Sequence, residues 1–339
     1  GIMSIQTDAN GETPASNFTV ATLQRKILTR SSLSVFLVNK ESDLQDNSDT
    51  TGNSYNQVGG IDFNLASADN LWTGKAFFHQ AIYKNAGDNA FAAATSIKYN
   101  TGTVSAHMGY SFVGSDFQAD VGFVKRIGFH RFGSDLEFKF YPEEGNILNH
   151  GPAFKFYNVL DENFNTTDRE FELKYMINWL DRRKFSADLE RGYVKLLEPF
   201  DPTNSGGDTL APGSAYNWNE FSLNYESDSR KTLNFNSNIR YGGYYNGNKL
   251  SLNRTINYRV QPYVNLSIST TYDKIDLPDP FEDVAFLLIG PRLDLTFTNK
   301  LFFTTFVQYN DQADNVNVNL RFQWRFAPVS DLFIVYTNN

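Results

Sequence analysis

The stretch NVNVNLRFQWRF places Val316, Val318, Leu320, Phe322, Trp324 and Phe326 on one parity. Asn317, Asn319, Arg321, Gln323 and Arg325 fall on the other. An unbroken period of two is the mark of a β-strand with unlike faces. The same pattern recurs along most of the chain. Leu233, Phe235, Ile239 and Tyr241 alternate with Asn234, Asn236, Asn238 and Arg240. Val264, Leu266, Ile268 and Tyr272 alternate with Asn265, Ser267, Ser269 and Asp273. Further copies run through Phe171–Trp179, Asp135–Phe140 and Thr103–Phe112. No helical period, heptad or capping box accompanies them, so the chain reads as all β.

The connections carry a second regularity. Tight turns are expected at Leu28–Arg30, Ser67–Asn70, Asn100–Gly102, Pro142–Asn146, Leu180–Lys184, Asp228–Lys231, Gln261–Pro262, Asn299–Lys300 and Ala327–Asp331. Between them fall mostly longer, polar connections, including Asp8–Asn17, Glu41–Asn56, Gly114–His130, Glu198–Asn217 and Lys274–Asp283. Alternating short and long connections are what an up-and-down barrel shows, and the segments number about 19. The prolines fall in these connections apart from Pro152, near a strand start, and Pro291, inside a strand pattern. Proline cannot donate to a ladder, so a bulge or strand end is expected near Pro291.

Two solvents could meet the two faces. A soluble sandwich buries the apolar face in protein; a membrane barrel turns it to lipid and the Asn/Arg face to an aqueous lumen. No segment has the roughly 20 apolar residues of a membrane helix, which leaves a barrel open. The strands are too many for one sandwich, and no linker or composition shift divides them. Trp72, Trp179, Tyr110, Tyr272, Tyr309 and Trp324 lie towards strand ends, as interfacial girdles require. Aromatic residues make up 15% of the chain. The expected fold class is therefore a large antiparallel up-and-down transmembrane β-barrel in a bacterial outer membrane. This chain holds about 19 of 20 or more strands. Residues 1–339 are expected to form a single barrel domain. The lipid-facing set is Val316, Val318, Leu320, Phe322 and Trp324. The lumen-facing set is His107, Asn234, Asn236, Asn238, Arg240, Asn317, Asn319, Arg321 and Arg325. A closed antiparallel barrel needs an even strand number. The odd count, with Gly1–Gln6 reading as mid-strand and Tyr336–Asn339 as an exit into a loop, leads us to expect strands beyond both ends.

Composition narrows the chemistry. Cysteine is absent, which removes thiol catalysis and disulfide scaffolds. A net charge of −8 argues against nucleic acid as a partner.

The runs SNFTVATLQRKILTRSSLSVFLVNK, FQADVGFVKR, LFFTTFVQYN and NLRFQWRFAPVSDLFIVYTNN resemble the C-terminal barrel region of a bacterial family, domain of unknown function 5916. The resemblance implies membership of a group found chiefly in the Bacteroidota. It also implies a preceding sandwich domain similar to family-nine carbohydrate-binding modules, absent from this chain, and strands beyond both ends. Its motifs are structural phrases and carry no catalytic residues.

Candidate chemistry is sparse. His107 lies on the polar parity with Thr103, Ser105 and Ser111, where a solvated lumen histidine is preferred to the base of a barrel hydrolase. No GxSxG phrase is present. His79 and His150 have no metal-ligand spacing. His130 lies in the basic run Lys125-Arg126-Ile127-Gly128-Phe129-His130-Arg131, read as a hydrated loop in preference to a lipopolysaccharide contact. Asp161-Glu162-Asn163-Phe164-Asn165 with Glu172 echoes a calcium loop, but Thr166 stands where the turn glycine belongs. Asp276, Asp279, Glu282 and Asp283 read as a solvated acidic loop. No metal, cofactor or catalytic residue is therefore expected. The expected role is a channel, anchor or scaffold with an occluded lumen or a bound partner. Its expected partners are the bilayer, lipopolysaccharide and other outer-membrane or surface proteins. A glycan receptor acting through the missing domain and a barrel-embedded hydrolase are the alternatives.

Overall fold

A computed structural model describes residues 1–10, 14–43, 54–281 and 283–338. Parts of the expected connections Asp8–Asn17 and Glu41–Asn56, together with Glu282 and Asn339, lie outside the described residues. Two compact units are distinguished: Gly1–Phe138 with Lys155–Glu170, and Lys139–Phe154 with Phe171–Asn339. The described residues contain 19 strands and no helix, the all-β up-and-down architecture that the alternation predicted.

In the first unit the strands are β1 (Ile2–Thr7), β2 (Ser16–Ile27), β3 (Ser31–Ser42), β4 (Tyr55–Ala66), β5 (Trp72–Tyr83), β6 (Phe91–Asn100), β7 (Val104–Val113) and β8 (Phe129–Phe138). Each pairs antiparallel with the next. β9 (Ile147–Asp161) and β10 (Thr166–Trp179) form a hairpin whose residues divide between the units. The second unit continues with β11 (Lys184–Lys195), β12 (Ala215–Glu226), β13 (Leu233–Tyr244), β14 (Gly247–Val260), β15 (Val264–Asp276), β16 (Val284–Thr298), β17 (Leu301–Asn310), β18 (Asn315–Ala327) and β19 (Ser330–Asn338). These too pair antiparallel in chain order.

Because side chains alternate in every strand, the register joins like residues into rows. In the first unit one row runs Leu23, Val35, Ile61, Phe78, Ala93, Phe112. In the second unit another runs Leu223, Ile239, Leu252, Tyr272, Leu287. Among the described residues no second sheet covers these faces: Leu23 is 70% exposed, Ile61 44%, Phe221 46% and Ile256 48%. The largest fully buried side chains are instead Asn56, Thr167 and Ser31. Burial is thus inverted relative to a water-soluble sandwich, whose apolar rows interdigitate in a core. Arg254 breaks the apolar face of the second unit, exposed in mid-strand between Ser237 and Thr270. Aromatic rings pair near strand ends, Trp72 with Tyr99 at 4.7 Å and Trp324 with Phe326 at 5.8 Å.

Two expectations are refined. β16 neither ends nor shifts register at Pro291, which stands opposite Ile268 of β15. The pairing with β17 instead lapses at Gly290 and Pro291, where the missing N–H leaves the ladder, and the bulge lies further on between Thr296 and Thr298. In β18 the alternation ends at Arg325, because a register shift between Arg325 and Ala327 places Phe326 in a bulge.

Two tight turns share one device, Asp-x-Arg. In the β12–β13 turn Arg230 donates Nε to Asp228 Oδ1 at 2.9 Å and Nη2 to Oδ2 at 2.8 Å, while its backbone N–H caps Oδ1 at 3.0 Å. In the β10–β11 turn Arg183 donates its Nε to both Asp181 carboxylate oxygens, at 3.0 and 2.8 Å, and its backbone N–H to Oδ1 at 3.3 Å, while Arg230 Nη2 also reaches the Asp181 carbonyl at 3.2 Å. The Arg230 side chain, followed by its backbone N–H, holds the Asp228 carboxyl down to about 2. A depressed folded-state value means that this turn gains its support above the ordinary aspartate range and loses it as pH falls through about 2. Carboxyl carbon NMR should show Asp228 titrating there, and Arg230→Ala should return it towards the usual aspartate range.

Candidate functional site: a loop folded onto the polar face

The opposite face of the first unit is not uniformly polar. One row runs Phe36, Gly60, His79, Ala92, Val113, Phe129, and the next runs Ser34, Asp62, Phe77, Ala94, Ser111, Arg131. Phe36, Val58, Phe77, Ala81 and Ala92 occupy positions where alternation calls for polar groups. The β7–β8 connection, 114–128, covers them. Phe117 is buried among Val58, Ala81, Ala90 and Ala92, and Ala119 and Val124 pack against the same cluster. Alanines on β5 and β6 leave the depth that the Phe117 ring fills. Gly60 serves the same packing, since a Cβ there would stand 2.5 Å from the His79 ring and 2.7 Å from the Phe36 ring.

Polar clamps hold the loop along its length. Asn56 donates Nδ2 to the Gln118 carbonyl at 3.1 Å and accepts the Asp120 N–H at 3.1 Å, so a fully buried amide meets loop backbone at both ends. Lys40 pairs with Asp120 at 2.8 Å. Tyr83 donates its hydroxyl to the Asp116 carbonyl at 2.6 Å, and Glu162 accepts the Ser115 N–H at 2.9 Å. Further along, Arg126 pairs with Asp168 at 2.7 Å and donates to the buried Thr167 hydroxyl at 2.8 Å. Between loop and sheet lies a cavity of about 580 Å³, walled by Phe77, Phe117, Phe123 and Phe129 and bordered by Lys125, Arg126 and Arg131. A second cavity of about 240 Å³ adjoins Arg131 on the side of Ser96, His107 and Ser111.

The structure divides the basic run read from the sequence. Lys125, Arg126 and Arg131 border the larger cavity, whereas His130 is buried on the opposite face. There it bonds the Tyr110 hydroxyl at 2.7 Å and stacks on Phe164 at 4.4 Å. Strand parity is the reason, since neighbours in β8 point to opposite sides. His107 pairs with Asp135 at 3.0 Å, a partner that the residue spacing had not suggested. Among the described residues no serine hydroxyl bonds its ring.

In the second unit, Asn234, Asn236, Asn238 and Arg240 share one face of β13. Asn238 donates to Asn224 at 2.6 Å, Asn253 to Asn238 at 3.4 Å and Thr271 to Asn253 at 3.0 Å, a ladder crossing four strands. Asn224 in turn donates to the buried Asp188 at 2.8 Å, which also pairs with Lys174 at 2.9 Å. Asn234 accepts from Asn257 at 3.1 Å, and Arg240 pairs with Glu220 at 3.1 Å. Asn317 accepts from Asn315, Asn319 from Thr337, Arg325 pairs with Asp331, and Arg321 lies 4.6 Å over the Phe333 ring. Val316, Val318, Leu320, Phe322 and Trp324 occupy the other face of β18. The Glu198–Asn217 connection also folds back, as Tyr244 donates to the Pro202 carbonyl at 3.1 Å and Gln312 to the Asn204 carbonyl at 2.8 Å.

The calcium-like segment is a turn. Asp161 accepts the backbone N–H groups of Asn163 at 2.9 Å and Asn165 at 2.8 Å, while Glu172 pairs with Lys174 from β10. No group of three or more metal-ligating side chains is gathered among the described residues.

A family model described as Domain of unknown function (DUF5916) matches residues 4–302. No curated protein matches the sequence. Among solved structures, a crystal structure of Acinetobacter baumannii OccAB1 is similar at 9% identity, with a TM-score of 0.49 over 100% of this chain and 94% of that one.

Truncating Phe117 to Ala should release the loop without unfolding the strands. Removing a buried Phe side chain costs about 3 kcal/mol or more, so hydrogen exchange across 114–128 should speed up on the order of 100-fold. Exchange within β3–β7 should stay nearly unchanged.

Proposed function

For a chain that belongs to the DUF5916 family, we propose a non-enzymatic role as the membrane-embedded strands of an outer-membrane β-barrel. Its polar face forms a passage or mounting surface narrowed by its own loops. The observation that carries this reading is the inverted burial. In each unit one face exposes large apolar side chains, Leu23 and Ile61 in the first and Phe221 and Ile256 in the second. The other face carries hydrogen-bonded polar groups, such as Asn56 in the first unit and Asp188, Asn224 and Asn238 in the second. Water would penalise the first face, and a bilayer core would penalise the second; a barrel wall between lipid and lumen accommodates both. Antiparallel ladders between consecutive strands satisfy most of the strand backbone internally, as a lipid setting demands, with local lapses at Gly290–Pro291 and at the bulges of β16 and β18.

The loops give the passage its character. The 114–128 segment is tied to β3, β4, β5 and β10 by side chains spread over most of its length, so it acts as a fixed constriction. In the second unit the 196–214 connection reaches the ends of β13 and of the β17–β18 turn. A narrow, polar, loop-lined passage suits small solutes or a seated partner rather than bulk diffusion. Outer-membrane and surface proteins, with lipopolysaccharide around the wall, are its proposed neighbours.

Two substitutions on β14 test the lipid assignment in reconstituted vesicles. Arg254 interrupts an apolar face, and an arginine facing lipid near the midplane costs about 2–4 kcal/mol. Arg254→Leu should therefore stabilise the inserted protein by an amount of that order, and Ile256→Arg should destabilise it similarly. Urea titration in vesicles measures both. If Arg254→Leu destabilises and Ile256→Arg is neutral, this face does not meet lipid. For the passage itself, the intact protein should show small or no conductance in planar bilayers, rising when residues 114–128 are replaced by a short Gly/Ser turn. A large open pore in the intact protein would overturn the constriction.

A further inference from the structure

The larger cavity of the first unit has an excess of positive charge beside an aromatic wall. Arg126 is already matched by Asp168 at 2.7 Å, and His79 lies 3.5 Å from Asp62. Lys125 and Arg131, on the same cavity, have no carboxylate within ion-pair distance among the described residues. The Arg131 guanidinium carbon lies over the Tyr157 ring, 5.5 Å from its centre. A cation–ring contact of this kind favours the charged guanidinium over the aromatic face and uses none of its N–H groups, which can receive an acceptor. Arg131 borders both cavities.

The rest of the wall is apolar. Phe77, Phe117 and Phe129 line it, and Phe123 stands at the loop tip 90% exposed, beside Val124, which packs into the loop core. An aromatic ring left that open next to a lined cavity gains by being covered. The volume, about 580 Å³, is within the range of small-molecule sites, in which a mainly apolar wall carries a few fixed polar groups.

We infer that this cavity binds a small amphipathic anion, a carboxylate attached to a flat aromatic or branched apolar body. The carboxylate meets the Arg131 fork, with Lys125 adding charge, and the apolar body lies between Phe77, Phe117 and Phe123. A carboxylate suits a guanidinium fork through two parallel hydrogen bonds, whereas a neutral hydroxyl offers a single acceptor and no charge. Every residue invoked belongs to the first unit, and the inference stands whether or not the polar face conducts.

The test uses the full chain in lipid nanodiscs, titrated calorimetrically with 2-naphthoate and with its neutral analogue 2-naphthalenemethanol. Empty nanodiscs serve as the blank for partitioning. Saturable one-to-one binding of the acid is expected, with the alcohol weaker by tenfold or more. Arg131→Ala should weaken the acid roughly tenfold, and Arg131→Lys, which keeps the charge and loses the fork, should fall between. Equal affinity for acid and alcohol would overturn the inference. So would acid binding unchanged in Arg131→Ala, or the absence of saturation by the acid. The acid–alcohol comparison is made on the unmodified chain, so it decides the matter even where a variant folds poorly. A failed lipid assignment on β14 would leave a positive result here intact, and an unsaturable cavity would leave that assignment intact.

Discussion

The structure depends on one constraint: within each unit the strand backbone is satisfied mostly by strands adjacent in sequence. Once neighbours pair in chain order, antiparallel and in register, side chains fall automatically into rows on two faces. The chain can then place apolar rows on one side and amides, hydroxyls and ion pairs on the other without a conventional core. Few large apolar side chains are buried, and the largest fully buried ones are polar. Stability is distributed along the ladders and cross-strand pairs rather than concentrated inside.

Where that regularity breaks, something else has been built. The alternation of β3–β6 is corrupted by Phe36, Val58, Phe77, Ala81 and Ala92, and those residues form the seat of the β7–β8 loop. The loop makes a small hydrophobic core where the pattern calls for water, and Asn56, Lys40, Tyr83 and Asp168 fasten its polar groups. Function on a β wall of this type resides in such departures, because the repeating pattern only separates two solvents. The second unit keeps its pattern more faithfully. Its polar face is a ladder of Asn238, Asn224 and Asn253 ending on Asp188, with fewer apolar intrusions.

Much of the strand arrangement was legible in the sequence because period-two alternation and turn chemistry are local signals. Each expected tight turn falls on an observed connection, from Leu28–Arg30 to Ala327–Asp331, whereas the equally short connections 162–165, 245–246 and 311–314 were not among them. Local signals also set the two faces of β13 and β18, since parity alone places Asn238 opposite Ile239 and Leu320 opposite Arg321. Pro291 misled only in detail. Its missing donor faces the β17 ladder, which lapses there without ending the strand.

The site was less legible. The double-sided apolar stretches around Phe36, Val58 and Phe77 were visible as faults in the alternation, yet nothing local said that residues 114–128 would cover them. The basic run Lys125–Arg131 read as one patch because adjacency in sequence conceals parity. The fold sends His130 to one face and Arg131 to the other. By itself, then, the sequence determined strands, turns and the chemistry of each face, which depend on neighbours one or two residues away. Only the tertiary structure decided which loop folds inward, that Arg126 meets Asp168 and where a cavity remains, because those contacts join residues tens of positions apart.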